Sequence, residues 1–408
     1  MRFVLVSTHT DQTTGYAKVS YNLLRQLATL APKVKTYHFG FQRHPNRPGF
    51  RKTPEGISQY DAAANEEPKE EGFGINKIHE FLEMVGPDVV MIYNDPLIVY
   101  RFIEAMKYEP GKSPYKLWVY MDQVYHGIAP VLMEKIASTA DRIFAFSDYW
   151  KTALETEYIG FKKISVLEHA VDPMMFSVLP PGDRNTIRGN MNIPQNAVVF
   201  LNANRNSQRK RLDLTVQGFV RFLKRETERP LYLIIVTNAS AQGGAYYDIP
   251  RIYARELTLA NLNLQKYGTR LILIDTAPPN VLADEGINQL YNISDIGVNT
   301  SDGEGYGLCQ LEHLYTGAPQ IVTDVGTYRT FLNNQVARFI PPEFEVYFAG
   351  GMPLGGESPV FNPDRVADAM EDAVRHLPEM RETIKNYPFK SWSTVCDALL
   401  EEILSFTG

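Results

Sequence analysis

The sequence predicts an α/β protein built from two parallel-sheet domains in tandem. Three observations carry this. Short apolar runs alternate with longer segments of helical period, which is the pattern of βαβ units rather than of an all-β fold. The alternation breaks at 178–195, where Pro180-Pro181-Gly182-Asp183 and Pro194 interrupt it, and then restarts. The chain of 408 residues is too long for one ordinary core and suits two domains of about 150–200 residues each.

In the first half, strands are expected at 2–7, 34–39, 88–93, 116–121, 142–146 and 164–167. Between the first two, a helix over 16–30 places Val19, Leu23, Leu24 and Leu27 on one face. The second half repeats the scheme with strands at 197–203, 231–237, 271–275, 295–299 and 319–323, separated by helices such as 211–225. Both halves therefore read as Rossmann-like, an N-terminal domain over 1–185 and a C-terminal one over 186–387. Two stretches break the pattern. Residues 40–74 are rich in proline and glycine and then acidic at Glu66, Glu67, Glu70 and Glu71; residues 341–363 contain Gly350-Gly351 and Gly355-Gly356. Both read as solvated surface loops or as mobile loops over a cleft.

Composition narrows the function. Hydrophobic residues are 44% and charged residues 22%, as in a globular protein. A net charge of −6 gives no footprint for nucleic acid. Two cysteines, Cys309 and Cys396, have neither disulfide nor metal-ligand spacing, which favours a reducing compartment. The apolar run at the N-terminus ends at Val6, too short for a signal-peptide core, and no run of about 18 apolar residues follows. A soluble, cytoplasmic protein is expected, with peripheral membrane contact left open. A nicotinamide-dependent oxidoreductase would need a glycine-rich turn after the first strand. Gly15 is the only glycine before Gly40, so that fingerprint is missing.

The richest segment is Ser301-Asp302-Gly303-Glu304-Gly305-Tyr306-Gly307-Leu308, which runs on through Glu312 to Gly317-Ala318-Pro319. It follows an expected strand, and a helix can begin near Gly307. A glycine-rich turn into a helix presents backbone N–H groups to an anion such as a diphosphate. Glu304 in the loop and Glu312 on the helix can meet one ligand at different heights, and a carboxylate accepts paired hydrogen bonds from vicinal hydroxyls. A second block, Val198 to Arg205, is a strand leading to Lys210 and a helix from about Leu212. Arg205 and Lys210 can neutralise a diphosphate from two directions. Arg209 and Arg211 flank Lys210, which leaves open which cation meets the ligand.

Gly-Glu-Gly-aromatic-Gly-Leu, then Leu-Glu, then Gly-Ala-Pro and a strand resembles the signature of family-four glycosyltransferases. Further matches run in order along the chain: Ser7-Thr8 to Gly15-Tyr16 resembles the family's first loop, and Phe144-Ala145-Phe146-Ser147 its strand ending in serine. Ala170-Val171-Asp172-Pro173 with Phe176 resembles its Gly-Val-Asp-Pro turn, and Pro388 to Trp392 its tryptophan segment before a closing helix. The chain departs from the pattern at Asn204 and Arg211, where glycines usually stand. It also lacks the family's strand-end histidine. The strand Leu117–Met121 ends in Asp122, and His126 is the nearest histidine. Asp122 and His126 together replace it, or His126 is a loop histidine of no consequence.

The resemblance implies a GT-B fold: two Rossmann-like domains facing across a cleft, with a C-terminal helix (388–408) returning to the N-domain. It implies retention of anomeric configuration, a nucleotide sugar of UDP or GDP type as donor, and a glycan, lipid or small-molecule acceptor. It places Glu304 beside the transferred sugar and Glu312 on the donor ribose. Gly15, Gly305, Tyr306, Gly307 and Leu308 then line the donor. No Asp-x-Asp occurs in the sequence, so neither metal nor cofactor is expected, and Arg205, Lys210 and the 305–308 amides would stabilise the leaving group. The alternative is a catalytically silent protein that binds a nucleotide sugar or glycan.

Overall fold

The computed structural model describes residues 1–43, 51–69, 71–226, 228–240, 244–348 and 355–405. It divides into two compact units. One comprises Met1–Asp172, Tyr347–Glu357 and Lys390–Gly408; the other comprises Pro173–Val346 and Ser358–Phe389.

The first unit holds a seven-stranded parallel sheet of β1 (Arg2–Thr8), β2 (Lys35–Phe41), β3 (Ser58–Asp61), β4 (Val89–Asn94), β5 (Lys116–Met121), β6 (Arg142–Ala145) and β7 (Ser165–Val166), in the order 3-2-1-4-5-6-7. Phe3 to Val6 and every residue of β4 are buried, as expected of strands covered on both faces. β3 falls inside the stretch expected to be irregular. Its sequence Ser-Gln-Tyr-Asp carries no apolar run, and it joins the sheet through backbone pairing with β2 and the stacking of Tyr60 on Phe39, 5.2 Å apart. Residues 44–50 and Glu70 of that stretch lie outside the described residues.

The C-terminal helix Trp392–Ser405 belongs to this unit and packs on the helix Gly15–Leu30. The two matched segments near it serve that packing. Val171 pairs with Ser391, Asp172 accepts an ion pair from Arg25 at 2.9 Å, and Arg142 meets Glu402. His169 sits among Tyr120, Phe146 and Trp392, and burial pushes its pKa down to about 3. It is a neutral core histidine.

The second unit holds a six-stranded parallel sheet of β8 (Val198–Asn202), β9 (Leu231–Thr237), β10 (Leu271–Asp275), β11 (Ile296–Asn299), β12 (Gln320–Thr323) and β13 (Ala337–Ile340), in the order 10-9-8-11-12-13. The helices Leu212–Arg225 and Pro363–Arg375 cover one face. They pack closely at Gly218, where a Cβ would stand 2.4 Å from Val366 Cγ1.

The division falls at Asp172/Pro173 rather than at 185/186, because residues after 173 bond to the second unit. The Ser177 and Leu179 amides donate to Asn288 and Asn292, and a helix forms over Pro181–Asn190, inside the stretch where the pattern breaks and the domain boundary is expected. That helix is anchored by Asp295, a buried carboxylate that binds Arg184 (2.7 Å), Arg188 (2.7 Å), Arg381 (2.6 Å) and the Val199 amide (2.8 Å). β13 and the strands β14 (Phe344–Phe348) and β15 (Gly356–Val360) are likewise absent from the sequence reading. Gly350-Gly351 lie outside the described residues. Among the described residues, no helix is long and apolar enough to cross a membrane.

Candidate functional site

In an open parallel sheet, ligands bind beyond the carboxyl ends of the strands, where the strand order reverses. In the second unit that point lies between β8 and β11. The loops leaving these two strands are 203–211 and 300–307, the two segments singled out by sequence.

Lys210 ends a short 3-10 turn, Gln208–Lys210, and is 6% exposed. Its Nζ donates to Glu304 Oε2. Arg209 donates to the Gly303 carbonyl, stands 3.7 Å from the same Glu304 oxygen, and its own carbonyl accepts from the Asp302 amide at 2.9 Å. The two loops are therefore joined by cations on one carboxylate. Burial works to raise the pKa of Glu304. The charges of Lys210 and Arg209, with hydrogen bonds from Lys210 and Asn299, outweigh it and hold the carboxyl at about 2. Glu304 is thus ionised throughout the neutral range. Burial draws the Lys210 ammonium below its ordinary value, against the pull of Glu304.

The neighbouring cations differ from one another. Arg205 is exposed; its carbonyl accepts from the Ser207 amide at 2.9 Å, and its guanidinium makes no hydrogen bond or ion pair among the described residues. Arg211 adopts φ 45°, in the left-handed region, which accounts for glycine being usual at this position. Its guanidinium is taken by Asp213 through two hydrogen bonds of 3.0 Å each. Asn204, the other departure from the family pattern, is buried and donates to Asn202 at 2.7 Å. It belongs to a polar network beneath the loops that the sequence did not reveal. Asn299 donates to Gln310 (2.8 Å) and accepts from the Ser301 amide (2.9 Å), while Thr215 and Thr300 meet at 2.7 Å. Buried polar groups must find partners, and here their partners fix the loop roots.

The turn itself is shaped by Gly307, which caps the helix Leu308–Tyr315 at φ 97° with no side-chain cap. Tyr306 is buried and stacks on Phe331 at 5.2 Å, and the Gly305 carbonyl accepts from Thr327 at 2.8 Å. Leu308 opens the helix. Glu312, one turn on, is 2% exposed and accepts from Tyr291 at 3.0 Å; Tyr291 in turn stacks on His313 at 4.9 Å. Tyr291 was not legible as a site residue, since it sits in an ordinary helical context, and Arg209 was visible only as a cation flanking Lys210.

In the first unit Asp122 and His126 are engaged by different side chains. Asp122 accepts from the Tyr16 hydroxyl, next to Gly15 at the start of its helix. His126 donates from Nδ1 to Glu157 and accepts at Nε2 from Tyr149, and its ring packs 5.2 Å from Trp150. Burial works to raise the pKa of Glu157; hydrogen bonds from His126 and the Gly127 amide bring it below its ordinary value. Both ring nitrogens of His126 are thus engaged within the fold.

No family model matches the chain. It is similar to two curated proteins, D-inositol 3-phosphate glycosyltransferase 2 of Catenulispora acidiphila and D-inositol 3-phosphate glycosyltransferase of Kribbella flavida. The first is 25% identical over 251 residues, 60% of this chain and 53% of that protein; the second is 24% identical over 212 residues, 51% and 46%. The chain spans about half the length of the curated relatives it matches. Among solved structures it resembles sucrose-phosphate synthase of Thermosynechococcus elongatus, with a TM-score of 0.73, 14% identity and coverage of 100% and 99% of the two chains. It also resembles Anabaena HepE in complex with UDP and glucose, with a TM-score of 0.66, 12% identity and coverage of 99% and 100%. A glycosyltransferase of Rickettsia africae gives a TM-score of 0.66 at 18% identity, with 98% and 97% covered. The fold is GT-B, and the resemblance to family-four glycosyltransferases read from the sequence is borne out in its relatives.

Proposed function

We propose that the chain is a glycosyltransferase that moves a sugar from a nucleotide diphosphate sugar of UDP or GDP type to a hydroxyl of a glycan, lipid or small molecule, with retention and without a metal. The observation that carries this reading is the joining of the two loops at the β8–β11 switch point by Lys210 and Arg209 on Glu304, beside the Gly307 turn and with Arg205 exposed on the same loop as Lys210. The names of the curated relatives and the UDP bound by HepE support it. The donor diphosphate would meet Lys210, Arg205 and the amides of 305–308; Glu304 would orient the transferred sugar. A thermal-shift screen against UDP-, GDP-, ADP- and dTDP-sugars tests it: a true donor at about 100 times its Kd stabilises by about 2.7 kcal/mol. No shift with any of them would sink the proposal.

Three outcomes are expected. EDTA should leave transfer unchanged, since cations stand where a metal would act; loss of activity rescued by Mn²⁺ or Mg²⁺ would show otherwise. Glu312→Ala should weaken donor binding about 10- to 150-fold, or about 1.5–3 kcal/mol, if Glu312 holds the ribose. A 2′-deoxyribose donor should then bind worse to the wild type and lose little more on mutation, and equal responses of the two donors would refute the assignment. Arg205→Ala should depress kcat by about 10²- to 10³-fold, because charge on the leaving diphosphate grows as the bond breaks. A change confined to donor Kd in single-turnover assays would mean that Arg205 only holds the donor.

A second reading is a catalytically silent nucleotide-sugar binder, favoured by Asp122 and His126 being engaged with Tyr16, Glu157 and Tyr149. Donor binding without hydrolysis or transfer to any acceptor would select it.

A further inference from the structure

Lys210 is assigned above to the diphosphate, yet its Nζ is held by Glu304. Drawing it away leaves a carboxylate that is 12% exposed without its main partner, and an unpaired buried charge is costly. A second cation is already in place. Arg209 precedes Lys210 in the same turn and lies 3.7 Å from the same Glu304 oxygen. It is anchored through its side chain to the Gly303 carbonyl and through its backbone to Asp302. The chemistry of the two side chains divides the work. A lysine ammonium is a point charge on a flexible stem that can swing; a guanidinium has five donors in a fixed fork and can serve a carbonyl and a carboxylate together.

We infer that Arg209 is a positioning residue that takes over Glu304 when the donor arrives, so that Lys210 is released from the carboxylate to the diphosphate. This rests on the functional reading above and adds a hand-off between two cations. In the free protein Glu304 holds Lys210. In the complex Arg209 holds Glu304, and the carboxylate keeps its charge and place beside the sugar.

A double-mutant cycle on nucleoside diphosphate binding tests it with no dependence on turnover. The probe is UDP, or GDP should the screen favour it, titrated by calorimetry into the full chain. Arg209→Met should weaken binding by about 10-fold, the cost of a lost charged hydrogen bond, because Lys210 then stays on Glu304. Glu304→Gln should bind the probe more tightly than the wild type, since no carboxylate competes for Lys210. In the Glu304→Gln background, Arg209→Met should change Kd by less than about 3-fold, within the additivity expected of uncoupled sites. If Arg209→Met costs the same in both backgrounds, Arg209 meets the diphosphate directly and the hand-off is wrong. Should Glu304→Gln not fold, Glu304→Asp replaces it; its shorter reach loosens Lys210, and an undiminished cost of Arg209→Met there is equally fatal. Failure of the wild type to bind either diphosphate overturns the functional reading itself, an outcome distinct from a cycle without coupling.

Discussion

Replacing Glu304 by Gln is expected to destabilise the second unit by about 3–5 kcal/mol, the usual cost of removing one partner from a buried ion pair. Lys210 and Arg209 both point charge at this carboxylate, so the substitution leaves two cations facing a neutral amide. The pH dependence gives an independent measure. The Glu304 pKa falls from 4.5 to about 2 on folding. A depressed carboxylate contributes stability that is fully present above pH 4.5 and disappears as the pH falls toward 2, worth about 3 kcal/mol at one pKa unit per 1.36 kcal/mol. Wild type should lose this contribution across that window, and Glu304→Gln should show no such loss. Adding Lys210→Met to Glu304→Gln removes one stranded cation and should recover much of the stability, because a pair deleted together costs less than a pair broken. Turnover should not return, since Lys210→Ala alone is expected to cost about 10²- to 10³-fold in kcat. Chemical denaturation of the wild type and these three variants at pH 7 and pH 3 decides this. A Glu304→Gln protein as stable as wild type at both would show that the carboxylate is not paired as described.

The family resemblance in the sequence placed Glu304 beside the transferred sugar but carried no sign of its ion pairs, and the difference marks what was legible. Strands buried on both faces leave apolar runs, so β4, β5 and β9 were readable nearly to the residue, and the half-buried edge strand β10 keeps such a run as well. β3 and β13 were not, because Ser58–Asp61 joins its sheet by backbone pairing without an apolar run, and Arg338 interrupts the short apolar stretch of Ala337–Ile340. The Pro-rich stretch at 178–195 read as a break in the pattern because proline at a helix start looks the same in letters as proline in a loop. Arg188, which ties the helix there to Asp295, is informative only once its partner is known. In the site, the glycine turn and its glutamates were visible as a contiguous pattern. The pairings across loops were not, since Lys210 and Glu304 lie 94 positions apart. Arg209 appeared as a bystander to Lys210 for the same reason. The partners of Asp122 and His126 were not legible either, since Tyr16, Glu157 and Tyr149 lie far from them in the sequence.

Gly307→Ala should be the most damaging single methyl addition to the site. Two costs combine there. The residue sits at φ 97°, where an L side chain is strained by about 1–2 kcal/mol. Its Cβ would also stand 2.3 Å from Tyr328 Cε1 and 3.0 Å from Cδ1. Tyr328 is fully buried in a cluster with Leu314, Val322, Leu332 and Val336, so its ring has nowhere to move, and overpacking of this kind adds about 1–3 kcal/mol. The turn is the softer side, and its displacement would carry Glu304 and the first amides of the helix Leu308–Tyr315 with it. Misplacement of reacting groups by about 1 Å can cost about 10²-fold in rate, so kcat should fall well beyond what the stability loss explains. Gly317 supplies the control. It has φ 94° but nothing within 4 Å of an added Cβ, so Gly317→Ala bears the backbone strain alone and leaves the site in place. Tyr328→Leu should restore part of the stability lost in Gly307→Ala by opening space for the methyl, while doing nothing for Gly317→Ala. Melting temperatures and single-turnover rates of these variants separate the two costs. If Gly307→Ala and Gly317→Ala prove equally mild in both, the close contact with Tyr328 does not hold the turn, and the geometry assigned to Glu304 goes with it.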